Sequence, residues 1–179
     1  MASLVGKRVA LLVAPGSAQS ELSVLQKVLD DAGAHPVVVS PKKHEVRLWA
    51  NADWGETIPV DRPVVTSLAD DYDALIIPGG VMAADTLRAD RQAVGLVRDF
   101  LGQDKPVGAM GHAVSVLIEA EAVLGKIVTS IESIRSDVVH AGGTWVDDPA
   151  VRDGHVITGR HHHDLPDFVA AVAEDLARD

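Results

Sequence analysis

Apolar residues follow two alternating rhythms along this chain. Short runs rich in β-branched residues read as strands: residues 8–14 (RVALLVA), 35–40 (HPVVVS), 73–78 (DALIIP), 106–110 (PVGAM), 127–129 and 155–159 (HVITG). The near-continuous apolar ones suit parallel strands covered on both faces. Between them lie helical stripes. Residues 20–32 put Leu22, Leu25, Val28 and Leu29 on one face, with Ser20 as cap and Gly33 as stop. Residues 91–102 do the same with Val94, Val97 and Leu101 behind the cap Asp90. Residues 111–120 and 132–141 are further helices, and a terminal helix opens at Asp164 and buries Phe168, Val172 and Leu176. Residues 41–67 break both rhythms with Trp49, Trp54, Gly55 and three prolines, the pattern of a small hairpin excursion. Strands alternating with helices predict an α/β sandwich around a mostly parallel sheet.

The chain has 179 residues, which is the size of one domain, and residues 1–179 are read as a single one. With no cysteine there is no disulfide framework, iron–sulfur cluster, zinc ribbon or thiolate mechanism. Its 16 basic against 26 acidic residues give a net charge of -10, which repels nucleic acid and anionic membranes at long range. No apolar stretch reaches the roughly 18 residues of a membrane span, and no leader pattern opens the chain. A cytoplasmic protein is expected.

Candidate chemistry concentrates where the strand ending at Met110 passes with almost no linker into a helix. Such a turn holds its residue in a strained backbone region beside the amides of the helix start, and enzymes place nucleophiles there. The turn residue here is Gly111, followed by His112 and Ala113. Glycine accepts the strain but carries no reactive atom. Gly79 and Gly80, ending the neighbouring strand, are expected to offer backbone N–H donors to an oxyanion. A plain tight turn with a satisfied histidine is the competing reading.

The order of LLVAPGSAQSEL, DDYDALIIPGGVMAADTLR, DKPVGAMGHAVSVLIEAEAVLGK, VTSIESIRSDVVHAGGTWVDD and GHVITGRHHHDLPDF resembles the ThiJ/PfpI family of the class I glutamine amidotransferase-like superfamily, nearly end to end. That family includes intracellular proteases or amidases, glyoxalases, stress proteins and the parkinsonism-associated deglycase. The resemblance implies a flavodoxin-like three-layer sandwich and a homodimer or larger ring. It also implies an elbow cysteine, whose position is Gly111, and an orienting glutamate, which it matches to Ala18. The following histidine survives as His112, and Asp85 matches an acid that some members supply from a neighbouring subunit. The implied protein is a relict of the family's enzymes. It would bind a small carboxylate or carbonyl compound at Gly79, Gly80, Gly111, His112, Ala113 and His162, without a cofactor. The alternative is a cysteine-independent hydrolase or glyoxalase-like enzyme working through His112 and Asp85.

His161, His162 and His163, followed by Asp164, are the one cluster with metal-ligand chemistry. Adjacent ligands seldom converge on one ion, so the expectation is no metal and histidines on the rim of the pocket. Trp49 and Trp54 suit either a subunit contact or local packing. Ser115 and Ser130 have no base visible in the sequence.

Overall fold

The computed structural model describes residues 3–177, so residues 1–2 and 178–179 of the expected single domain lie outside it. In chain order the elements are β1 (Arg8–Leu12), α1 (Gln19–Asp31), β2 (His35–Ser40), β3 (Glu45–Ala50), β4 (Asp53–Pro59), β5 (Arg62–Pro63), β6 (Ala74–Ile77), α2 (Val81–Ala89) and α3 (Arg91–Gly102). Then follow β7 (Val107–Met110), α4 (Val114–Glu119), β8 (Ile127–Val128), α5 (Arg135–His140), β9 (Thr144–Trp145), β10 (Ala150–Asp153), β11 (Val156–Gly159) and α6 (Leu165–Leu176).

The main sheet has seven strands in the order β10-β11-β7-β6-β1-β2-β5, parallel throughout except for β10, which runs antiparallel to β11. Its two faces read directly from the period of two along β1. Val9, Leu11 and Val13 join Leu22, Leu25 and Leu29 of α1 and Phe168 and Val172 of α6 on one side. Ala10, Leu12 and Ala14 join Leu87 of α2, Val97 and Phe100 of α3, Leu117 of α4 and Val138 of α5 on the other. The result is the expected flavodoxin-like three-layer sandwich. From β1 the chain winds outward through β2 on one side and then restarts at β6 on the other, so the β1–β6 junction is the point where strand order reverses. Open α/β sheets bind ligands outside the carboxyl ends of their strands at that point.

The hairpin excursion is β3 and β4, antiparallel, with Asn51 at φ +59 in its turn. Trp49 and Trp54 meet edge to face at 5.5 Å, Arg47 stacks over Trp54, and Trp49 N–H donates to the Ser17 carbonyl at 2.9 Å. The hairpin is thereby tied to the loop between β1 and α1.

Several expectations need correction. Ser20 does not cap α1: the cap position is Ala18, with no side-chain hydrogen bond. Asp164 stands at the cap of α6, but its carboxylate bonds the Arg160 guanidinium instead of the helix amides. The stretch 132–141 is a 3-10 turn, Glu132–Ile134, before the short α5. Helix α2 was hidden because a nine-residue element beginning at a glycine pair carries few apolar residues, only Ala83, Ala84 and Leu87 being buried. Strands β5, β9 and β10 are too short, or too exposed, to show a period.

Candidate functional site

Three parallel strands bring the candidate residues to one edge. The ladder pairs Ile77 of β6 with Ala109 of β7, and Gly159 of β11 with Met110. Continued past the strand ends, this register sets Gly79 and Arg160 on either side of Gly111. At Gly111 the backbone leaves β7 at φ +55 and enters a 3-10 turn, Gly111–Ala113, that leads into α4. This is the strained elbow expected from the sequence. A Cβ placed on Gly111 would touch a single atom within 4 Å, the Arg160 carbonyl oxygen at 3.1 Å. That contact is tight and made to backbone, so a side chain at this position would press on the Arg160 carbonyl.

At the neighbouring Gly79 turn stands a group the sequence reading missed. Glu21, in the first turn of α1, is 7% exposed and accepts a 2.6 Å hydrogen bond from the Gly79 N–H through Oε2. Burial pushes its carboxyl above the ordinary value, although the Gly79 N–H and the nearby charge of His161 pull the other way. The resemblance matched the family glutamate to Ala18 and so implied a site without a carboxyl. The structure corrects that inference: Ala18 is a half-buried cap residue whose N–H donates to the Gly79 carbonyl, and the buried carboxyl stands three residues further on. The signal was present, because Glu21 lies four residues before Leu25 and seven before Val28, on the apolar stripe of its helix.

The same contact corrects the expected oxyanion hole. The Gly79 N–H is already taken by Glu21. Gly80 opens α2 at φ +116, and its Cβ position lies 2.3 Å from the Gly16 carbonyl oxygen, so glycine is required for the two loops to touch.

His112 is half-buried, and burial lowers its pKa, so the ring is neutral near pH 7. Its Nε2 lies 3.3 Å from the Ser133 hydroxyl, a second contact that the sequence did not reveal. Ala113 is fully buried behind it. Asp85 is exposed on α2 and, among the described residues, makes no hydrogen bond or ion pair with His112. Of the histidine run, His162 is exposed with its ring centroid 3.8 Å from that of His163. His161 is the member that acts on Glu21; its Nδ1 is buried, 3.3 Å from Asp164 Oδ2 but without hydrogen-bond geometry. Arg160 is fully engaged by Asp164 and Asp147. Among the described residues no group of three histidine, aspartate or glutamate side chains is placed to hold a metal ion. No helix among them is long and apolar enough to cross a membrane.

The DJ-1/PfpI family profile matches residues 7–175. The chain belongs to the DJ-1/PfpI family. This DJ-1/PfpI protein is 43% identical over 109 residues to an uncharacterized protein of Archaeoglobus fulgidus, a match covering 61% of this chain and 64% of that one. It is 30% identical over 172 residues to an uncharacterized protein of Staphylococcus aureus strain Mu50, covering 95% and 98%. Among solved structures, a two-domain protein of Anabaena variabilis with DJ-1/ThiJ/PfpI-like and ferritin-like domains superposes with a TM-score of 0.89 at 31% identity. That match covers 95% of this chain and 48% of the Anabaena one, so the chain corresponds to about half of that protein. Drosophila melanogaster DJ-1beta gives a TM-score of 0.86 at 25% identity, covering 100% and 92%. This DJ-1/PfpI protein contains no cysteine.

Proposed function

We propose that this protein binds a small carbonyl or carboxylate compound non-covalently at the elbow, as a homo-oligomer, with no covalent chemistry at position 111. The observation that carries this reading is the glycine elbow at 111, next in register to the Gly79–Gly80 turn, whose Gly79 amide holds a buried carboxyl, Glu21, with its pKa raised by burial. A protonated carboxyl donates an O–H to a carbonyl or carboxylate oxygen without bringing a second negative charge. The neutral His112 adds no charge either. Arg160, held by two aspartates, is not free to clamp an anion, which favours small ligands over extended anionic ones.

The binding energy available to such a ligand is bounded. At no better than about 1.5 kcal/mol per heavy atom, a four-atom acid reaches at most about 6 kcal/mol, a dissociation constant on the order of 0.1 mM or weaker. Titration with acetate, pyruvate and methylglyoxal, followed by NMR at the Gly79–Gly80 and Gly111–Ala113 amides, is the direct test, with light scattering on the same sample. The expected result is saturable millimolar binding to a species of at least two chains, weakened about tenfold by Glu21→Ala, which removes the donor. Absence of shifts at those amides would overturn the reading. Steady consumption of methylglyoxal, abolished by His112→Ala, would replace it with catalysis through His112, for which the exposed Asp85 of a second copy is the available acid.

A further inference from the structure

We propose that Ser133 and His112 form a nucleophile–base dyad that takes acyl groups from small activated esters. The two residues come from separate segments: His112 from the elbow after β7, and Ser133 from the 3-10 turn that precedes α5. Ser133 Oγ and His112 Nε2 nevertheless stand 3.3 Å apart. A serine hydroxyl is a weak nucleophile until an adjacent base accepts its proton, and hydrogen-bond reach between the two is the geometric requirement. Burial keeps His112 in the neutral form that a base needs, while Ser133 is exposed and reachable by a substrate.

The serine is held in place by fixed neighbours. The Thr129 N–H donates to Thr158 Oγ1 at 2.9 Å, Ile127 N–H donates to Asp153 at 2.9 Å, and Trp145 Nε1 donates to Ser130 Oγ at 3.0 Å. The segment that carries Ser133 is therefore anchored to β11, β10 and β9 immediately before the turn. Such anchoring reduces the cost of bringing the hydroxyl to the ring.

The chemistry closes without a further reagent. With the ring proton on Nδ1, Ser133 Oγ attacks the ester carbonyl carbon and its proton passes to His112 Nε2. The tetrahedral adduct expels the alcohol or phenol, which carries that proton away. Water then attacks the acyl-serine, His112 takes a proton from it, and release of the carboxylic acid restores the hydroxyl. Among the described residues no carboxylate hydrogen-bonds His112 Nδ1, which limits the dyad to esters with good leaving groups. Neither Glu21 nor Gly111 enters these steps, so the dyad stands independently of the binding reading.

Incubation of the whole protein with p-nitrophenyl acetate, followed by peptide mass analysis, tests it. The expected result is one acetyl group on Ser133, and a p-nitrophenolate release rate reduced at least tenfold by either Ser133→Ala or His112→Ala, each variant checked for native circular dichroism. Acetylation of lysines alone, of His112 itself, or of nothing would overturn the proposal. A second readout uses the absence of cysteine: Ser133→Cys introduces a single thiol. Its alkylation by iodoacetamide should show a pKa below the ordinary value of about 8.5, returning to it when His112→Ala is added. An unshifted thiol in the single variant would overturn it as well.

Discussion

Glu21 ties the candidate site to the stability of the chain through one proton. Because burial raises its pKa, the native chain retains a proton that the unfolded chain has lost once the pH passes the ordinary carboxyl value of 4.5. Stability then falls as pH rises through the window between that value and the raised one, by at most about 1.4 kcal/mol per pH unit, and the full penalty persists above it. Glu21→Gln keeps an oxygen for the Gly79 N–H and has no charge to bury. Urea denaturation from pH 5 to pH 8 should show the variant gaining on the wild type as pH rises, with the gain levelling off above the native pKa of Glu21. His112 acts in the opposite sense, since its lowered pKa costs stability as pH falls below 6.5. The difference between variant and wild type cancels that contribution and isolates Glu21. A flat difference would mean that the carboxyl is as well solvated in the native state as in the unfolded one.

At the scale of elements, the site exists because two glycine turns let three loops touch. Gly80→Ala would drive a Cβ into the Gly16 carbonyl oxygen, 2.3 Å away, from a backbone at φ +116. Neither can yield without moving the start of α2 away from the β1–α1 loop, so a loss of about 2–3 kcal/mol is expected in the urea midpoint. Gly95 of α3 is the contrast: nothing lies within 4 Å of its Cβ position, and Gly95→Ala should gain about 0.5–1 kcal/mol from helix propensity. Equal effects at both positions would show that the close approach of the loops is not what glycine is needed for. These turns also mark how far the sequence can be read. The elbow at Gly111 was legible, because an apolar strand running into a helix without a linker leaves only one place for a bend. The carboxyl at Glu21 was half legible, as a charge on an apolar stripe. The contact between His112 and Ser133 was not, because the residues are 21 apart and their meeting depends on where β8 docks, which a strand of two residues does not announce. Nor could the sequence show that the Gly79 amide is occupied, since its partner comes from a helix 58 residues earlier.

Across the whole molecule, α6 closes the sandwich by covering the β11 side of the sheet, and its hold is partly ionic. Asp175, near its end, is 3% exposed and receives Arg152 Nη1 from β10 at 2.5 Å and His155 Nδ1 at 3.0 Å. One buried carboxylate thus joins the last helix to the antiparallel edge strand and to the turn between β10 and β11. In a chain with net charge -10, the Arg152 guanidinium beside this acid also relieves local repulsion at this end of the sheet. The geometry sets the expected cost of removing it. The side chains of Arg152 and His155 are 28% and 38% exposed, so they can turn to water once their partner is gone. Asp175→Ala should therefore cost about 1–3 kcal/mol, below the 3–5 kcal/mol range for breaking a fully buried pair. Its local signature should be faster amide hydrogen exchange in β10 and the second half of α6, with β1 and β6 unaffected. If exchange accelerated evenly through the sheet, α6 would be part of one cooperative unit with the parallel core, held there by Phe168 and Val172 rather than by the carboxylate.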